Sequence, residues 1–405
     1  MKILHICSSV NGGAGLATVR LHLGLLNRGI ESKILTLKAD EYDIPDVYTV
    51  VRYTRPLYRK FFSRFGLFRN KYQKQTELIK NLDMDCECLS FPESLYDLAE
   101  HYLVKDSDLI NLQWIGDFID YPTFFMKVNR PIVWTLHDKN PLLGCCHYEL
   151  DYENASCKFK NIDNRFKKRK KRYIDKHENL TIVAPSKELG MRAKACSTFS
   201  RRHVETIPNG IDTSIYTPKN KLDARRRLKL DPDGKVILFS AHNLNNKWKG
   251  FKVLVKSLQE LKDRSYTCIA LGNNNVNIKS GMPIKFLGYK NDENEVIEAY
   301  EAADVFVIPT FEDNLPNTVL ESLSCGTPII GSNVGGIPDM VREGITGMLF
   351  KAGDSKELTK RIEEFFALPK QKRAEISGNC RRIAVEEYDV SIQAKRYIEL
   401  YERII

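Results

Sequence analysis

Two successive series of short, continuous apolar runs, separated by stretches of helical periodicity, constrain this chain more than any other feature. The first series reads "KILHIC", "SKILTL", "DLINLQ", "PIVWTL", "LTIVAP" and "HVETIP", with "AGLATVRLHLGLLNRG" and "FPESLYDLAEHYL" between several of them. The second follows "NGIDTSIYTPKN" and runs "KVILFS", "GFKVLVKSLQEL", "YTCIALG", "IKFLGY", "ENEVIEAYEAA", "DVFVIPT", "NTVLESLSCG" and "TPIIGS". Strands that are apolar along their whole length are those buried on both faces of a parallel sheet beneath helices. The pattern predicts an α/β protein with two doubly wound, Rossmann-like domains. The 405 residues agree, because a single hydrophobic core stops growing near ~250–300 residues. The aperiodic stretch from Thr213 to Asn220, with Pro218, is the expected linker, and "SIQAKRYIELYERII" is expected to close the chain with a helix.

Composition excludes several classes. No stretch approaches the ~18–20 apolar residues of a membrane-spanning helix, and "MKILHIC" enters a strand-like run at once, so a protein neither secreted nor integral is expected. The ten cysteines are spread through apolar runs and loops, which fits a reduced, cytoplasmic setting. Cys145, Cys146 and Cys157 cluster, with His147 beside them, but no second ligand pair follows at a recognised zinc spacing and no metal is expected. A net charge of +10 calls for an anionic partner: nucleic acid, a phosphorylated substrate or a membrane face.

In open α/β sheets, ligands bind beyond the carboxyl ends of the strands, where helix N-termini present unpaired N–H groups. Four segments fall there. "SSVNGGAGLATVR", with Gly12, Gly13 and Gly15, and "TLHDKNPLLGCCHY", with His137, follow strands of the first domain. "FEDNLPN" and "NVGGIPD" follow strands of the second. Each has a plain structural reading: a tight turn for "GGAG", a solvated helix face for Glu321, a satisfied loop pair for His137 and Asp138. Their joint placement instead describes a cleft between two facing domains that takes an anionic nucleotide on one side.

The succession "GGAG", "WTLHD", "APS" at 184–186, "IPNGID" at 207–212, "KGF" at 249–251 and "EDNLPNTVLESLSCGTPIIGSNVGGIPDMV" resembles the retaining glycosyltransferases of family 4, of the GT-B fold. A weaker likeness is to members from exopolysaccharide and capsule gene clusters. The resemblance implies an acceptor-binding domain over 1–212, a nucleotide-sugar-binding domain over 213–388 and a C-terminal helix over 389–405 that packs back on the first. It implies a UDP- or GDP-linked sugar as donor, a glycan or lipid-linked acceptor, and cytoplasmic action in cell-surface polysaccharide synthesis. Alternatives are a nucleotide-sugar isomerase or epimerase of the same fold and a basic nucleic-acid-binding protein. The latter is prompted by "RFKKRKKRY", which reads more simply as a solvated helix face.

Breaking a sugar–diphosphate bond leaves negative charge on the departing phosphate and oxocarbenium character on the sugar. By resemblance, Lys249, Lys247 and the backbone at Gly13 and Gly15 meet the phosphates, so no metal and no cofactor are needed. Glu321 anchors the ribose, while Asp313 or Glu312, with Asn314, Leu315, Pro316 and Asn317, holds the transferred sugar, and His137 lies near that sugar. No enzymatic nucleophile is implied, since retention in the family is attributed to front-face attack. The family pattern is Glu, seven residues, Glu; Asp313 keeps that spacing to Glu321 and Glu312 keeps the residue type. The family's Arg ahead of Lys-Gly is replaced by His242 and Asn243, with Lys247 as substitute charge. From Arg55 to Lys74, Leu57, Phe61, Phe65 and Phe68 fall on one helical face with Arg59, Lys60, Arg64, Arg69 and Lys71 close by, which suits a core helix or an anionic membrane surface; since enzymes of the family often act on lipid-linked acceptors, peripheral, salt-sensitive association with the inner membrane face is expected through it.

Overall fold

The computed structural model describes residues 1–38, 44–50, 71–80, 82, 85–263, 265–273 and 283–405. Most of the proposed membrane segment, residues 55–70, lies outside them. By contacts the chain divides into two units, Met1–Ile207 with Ala394–Ile405, and Pro208–Gln393. No helix among the described residues is long and apolar enough to cross a membrane.

The first unit is built on seven parallel strands: β1 (Lys2–Cys7), β2 (Glu31–Thr36), β3 (Val47–Thr49), β4 (Leu109–Leu112), β5 (Ile132–Thr135), β6 (Leu180–Ala184) and β7 (His203–Thr206). Their order is β3-β2-β1-β4-β5-β6-β7. Continuous apolar runs were required because both faces are covered. Leu4, Ile110, Ile132, Trp134 and Ile182 enter one core cluster. Ile3, Leu109, Val133 and Val183, on the alternate positions, enter another with Leu21 and Leu25 of the helix Gly12–Leu26.

Ala394, Tyr397, Leu400 and Tyr401 of the helix Val390–Ile404 complete that second cluster. Tyrosines serve there because the middle of the sheet carries polar groups. Asn111 Nδ2 donates to Tyr401 Oη at 2.6 Å, Thr135 Oγ1 donates to Asn111 Oδ1 at 3.1 Å, and Thr135 Oγ1 lies 2.9 Å from Tyr397 Oη. Both ring hydroxyls are fully buried, and burial pushes both phenols well above their ordinary pKa.

The second unit holds six parallel strands: β8 (Lys235–Asn243), β9 (Tyr266–Asn273), β10 (Ile284–Gly288), β11 (Val305–Ile308), β12 (Ile329–Ser332) and β13 (Gly347–Phe350). Their order is β10-β9-β8-β11-β12-β13. Both sheets are thus doubly wound, with the strand order reversing between β1 and β4 and between β8 and β11.

The basic run Arg165–Tyr173 lies on the helix Cys157–Ile174, whose buried positions Phe159, Asp163, Phe166, Lys170 and Ile174 recur at helical spacing. Most of its charges face solvent, but Lys170 is buried and donates to the backbone and side-chain oxygens of Asn140 at 2.8 and 2.7 Å. Burial lowers its pKa to about 8 against the pull of Asp163.

A Tyr401→Phe substitution leaves the Asn111 amide buried without its acceptor and should destabilise the protein by about 1–3 kcal/mol, read as a lower urea midpoint at unchanged m-value.

Candidate active site

In the second unit the residues singled out by sequence gather at the carboxyl ends of β8, β11 and β12, three adjacent strands flanking the reversal of strand order. Beyond β8 the chain turns through the single helical turn Lys247–Lys249, capped by Asn246, whose side chain accepts from Trp248 N. Gly250 then starts the helix Phe251–Glu260 at φ +74°, where a β-carbon would stand 1.9 Å from the Pro309 carbonyl oxygen. Only glycine allows the two backbones this close.

Beyond β11, Thr310 Oγ1 lies 2.8 Å from the Trp248 carbonyl oxygen and 3.0 Å from that of Glu312, and Phe311 N donates to the same Trp248 oxygen at 2.7 Å. Lys249 Nζ thereby reaches Asp313 Oδ2 at 2.6 Å. Asp313, one of the two acidic candidates, thus pairs with the lysine. Leu315 is sunk in the core beside Val319 and Leu320, so it anchors the loop from below. Pro316 caps the helix Asn317–Ser324. Glu312, Asn314 and Asn317 are half-buried around the loop.

Glu321, on that helix, is 7% exposed. Tyr300 Oη donates to its Oε2 at 3.1 Å from inside the core. Burial, reinforced by the Glu321 charge, pushes the Tyr300 phenol far up, so it stays a donor. Gly335 completes the loop cluster at φ +55°, where a β-carbon would meet the Asp313 carbonyl oxygen at 1.7 Å, and Gly336 N donates to that oxygen at 3.3 Å. The second glycine turn of the sequence therefore locks onto the acidic loop. Lys247 places its ammonium 4.9 Å from the centre of the Trp248 ring, and His242 packs edge-on to Tyr289 at 5.0 Å.

The first unit arranges its candidates at the ends of β1, β4 and β5, again adjacent and flanking the reversal. Gly12 and Gly13 open the helix Gly12–Leu26 onto free space, whereas a β-carbon at Gly15 would stand 2.3 Å from the Val10 carbonyl carbon. Gly15 is thus needed for packing and Gly13 leaves room for a neighbour. Beyond β5, His137, Asp138 and His147 line a shallow recess with Gln113, Trp114 and Gly116. His137 Nε2 lies 2.7 Å from Gln113 Oε1. Asp138 Oδ2 receives Trp114 Nε1–H at 2.7 Å and lies 2.5 Å from His147 Nδ1, while His147 Nε2 lies 2.8 Å from Ser90 Oγ.

Two histidines ten residues apart, His137 and His147, are driven in opposite directions. Burial pushes His137 down to about 4 despite Asp138, so it is neutral at pH 7. Burial also opposes charge on His147, but the Asp138 carboxylate overrides it and raises His147 to about 10. Burial would raise Asp138 too, yet the His147 imidazolium and its hydrogen bond hold it below the ordinary carboxylate value. Ser90, His147 and Asp138 stand in the order of a hydrolytic triad, but an imidazolium has no lone pair to take the hydroxyl proton. With Ser90 only 3% exposed, the arrangement braces the loop.

The cysteines behind it behave likewise. Cys145, Cys146 and Asp163 bring ligand atoms within 4.8 Å of one another. The Asp163 carboxylate, however, already accepts from the backbone N–H groups of Gly144, Cys145 and Cys146 at 2.9, 2.6 and 3.3 Å. It is an internal cap on the "GCCH" turn. Cys157 is exposed at the start of the next helix.

Sequence reasoning missed Gln113, Tyr300 and the ion pair of His147. Gln113 had a signal: a polar residue ending the apolar run "DLINLQ" at the strand-order reversal. Tyr300 had none, as its alignment with Glu321 depends on two helices meeting.

Residues 234–367, which hold β8 to β13 and the acidic loop, match the family model "Glycosyl transferases group 1". The whole chain superposes on HepE from Anabaena in complex with UDP, with a TM-score of 0.70 at 18% identity over 100% of both chains. It superposes on sucrose-phosphate synthase from Thermosynechococcus elongatus with a TM-score of 0.74 at 18% identity, over 100% of this chain and 99% of that one. The fold is GT-B.

Among curated proteins, the chain is 27% identical over 225 residues to the sulfoquinovosyl transferase SQD2 of Arabidopsis thaliana, covering 54% of this chain and 43% of the relative. It is 29% identical over 163 residues, covering 39% and 42%, to N,N'-diacetylbacillosaminyl-diphospho-undecaprenol alpha-1,3-N-acetylgalactosaminyltransferase of Campylobacter jejuni. In each case the match spans less than half of the relative's length.

The His147–Asp138 pair predicts a pH signature. Because the folded pKa of His147 lies above 6.5, its contribution is complete below about 6.5 and is lost as pH climbs through about 10. That of Asp138, whose pKa is lowered from 3.8, is present above that value and is lost as pH falls through the lower folded one. A His147→Gln variant should lose about 3 kcal/mol relative to wild type at pH 5–6, shrinking steadily towards pH 10, as measured by urea unfolding across that range.

Proposed function

We propose that this protein is a retaining glycosyltransferase that moves a sugar from a nucleotide-sugar donor to a glycan or lipid-linked acceptor in cell-surface polysaccharide synthesis. One observation carries the reading: a lysine paired to the acid of the "EDNLPN" loop, with a buried glutamate on the next helix, at the strand-order reversal of the segment matching group 1 glycosyl transferases. The solved neighbour carrying UDP supports a uridine nucleotide as donor, and the relative named for a diphospho-undecaprenol substrate supports a lipid-linked acceptor.

The second unit then works as the donor side. Glu321, held by the Tyr300 hydroxyl, accepts the two ribose hydroxyls and cannot swing away, because Tyr300 is fixed in the core. Lys249 supplies positive charge to the leaving phosphate, so the reaction runs without a metal. That charge is compensated by Asp313 at 2.6 Å. An arriving diphosphate competes for Lys249, and the released carboxylate becomes an acceptor for hydroxyls of the transferred sugar. Glu312 stays beside it as the second acid. In the first unit the neutral His137 offers a hydrogen bond to a hydroxyl of a bound substrate. The protein acts in the cytoplasm, with an anionic membrane surface as the place of a lipid-linked acceptor.

Two substitutions test this assignment. Glu321→Gln should weaken binding of UDP and of UDP-sugars by about tenfold or more in calorimetry, with the fold intact; undiminished binding would remove Glu321 from the donor site. Asp313→Asn should bind nucleoside diphosphate at least as tightly as wild type, since Lys249 loses its competitor, while turnover falls by about 100-fold. Weaker diphosphate binding together with unchanged turnover would reject the exchange.

A further inference from the structure

Gln113 is 2% exposed, and both ends of its carboxamide meet an imidazole. Oε1 lies 2.7 Å from His137 Nε2, and Nε2 lies 3.3 Å from Nδ1 of His5 on β1, which is itself fully buried. The other ring nitrogen of His5 has no hydrogen-bond partner among the described residues. Behind it, edge-on at 6.2 Å, stands His22, whose Nε2 lies 2.9 Å from the Pro45 carbonyl oxygen and whose Nδ1 lies 2.7 Å from Ser32 Oγ. A carbonyl only accepts, so His22 carries its proton on Nε2. The row ends in a histidine of fixed tautomer, and Gln113 joins its open end to His137.

We propose that Gln113 is a positioning residue for the transfer reaction: it accepts the Nε2–H of His137, donates to His5, and so leaves Nδ1 as the acceptor nitrogen that His137 offers to a substrate hydroxyl. This rests on the glycosyltransferase reading for its consequence and on the side-chain geometry alone for its content. The residue type follows from the surroundings. A carboxamide carries both an acceptor and donors, so between two neutral imidazoles it can accept from one while donating to the other, which a carboxylate or hydrocarbon cannot do. The titratable groups about His137 are Asp138 on its own loop, His147 through Asp138, and His5 through Gln113. Imidazole neutrality, already favoured by burial, keeps the chosen tautomer meaningful at pH 7.

The tautomer can be read directly. In the full chain labelled with 15N-histidine, the His137 signals, identified by their loss in His137→Asn, should show a protonated Nε2 and a bare Nδ1; a proton on Nδ1 would overturn the proposal. Gln113→Met should scramble that preference and lower kcat about tenfold, the worth of one hydrogen bond, with the donor KM changed by less than about twofold. Gln113→Glu still accepts from Nε2–H, so it should keep most of the rate near neutral pH while moving the acid limb of the pH profile upward. Unchanged kcat in a folded Gln113→Met protein, or equal damage in both variants, would reject the positioning role. Should wild type turn over no nucleotide sugar, the functional reading falls, and the histidine spectrum alone decides the fate of the inference.

Discussion

The second unit's site depends on backbone touching backbone. Three loops leave adjacent strands, and each would drift if held by side chains alone. Instead the Trp248 carbonyl takes the Phe311 N–H, Gly250 sits against the Pro309 carbonyl, and Gly335 and Gly336 sit against the Asp313 carbonyl. Rigid main-chain contacts fix side-chain positions without spending the side chains themselves. Lys249 and Asp313 are thereby brought into their 2.6 Å pair, with Glu321 on the helix that follows the acidic loop.

In the first unit one carboxylate sets the protonation of the neighbourhood. Asp138 meets His147 at 2.5 Å and receives the Trp114 indole, so the buried His147 is held positively charged. His137, next to Asp138 in sequence, turns the other way onto Gln113 and stays neutral. Environments that separate the pKa values of similar groups create distinct chemical roles from one residue type. Here one imidazole is charged and braces the loop, and the other is neutral.

Much of the architecture was legible because burial on both faces writes itself as unbroken apolar runs, and the α/β character and βα order followed. Edge strand β3 was not found, since Val47–Thr49 is short and only half covered. Site positions were legible as loops after strands, and those residues do stand at strand ends beside the two order reversals. Partnerships were not. That Lys170 lies buried inside a run read as solvated, that Asp163 caps the cysteine turn, and that Tyr300 holds Glu321 all require segments tens of residues apart to meet. The glycine turn at Gly335 was visible, but its purpose needed the Asp313 carbonyl opposite it.

The tyrosines that close the first sheet belong to Ala394–Ile405, separated from the rest of that unit by the whole of Pro208–Gln393. During synthesis the first unit emerges early, but Asn111 and Thr135 lack their phenolic partners until this late segment arrives. The intervening unit has a continuous sequence and its core residues lie within it. The first unit's core is instead assembled from two stretches of chain on either side of that insert, so completing it requires contacts of very long sequence separation, the kind that form slowly.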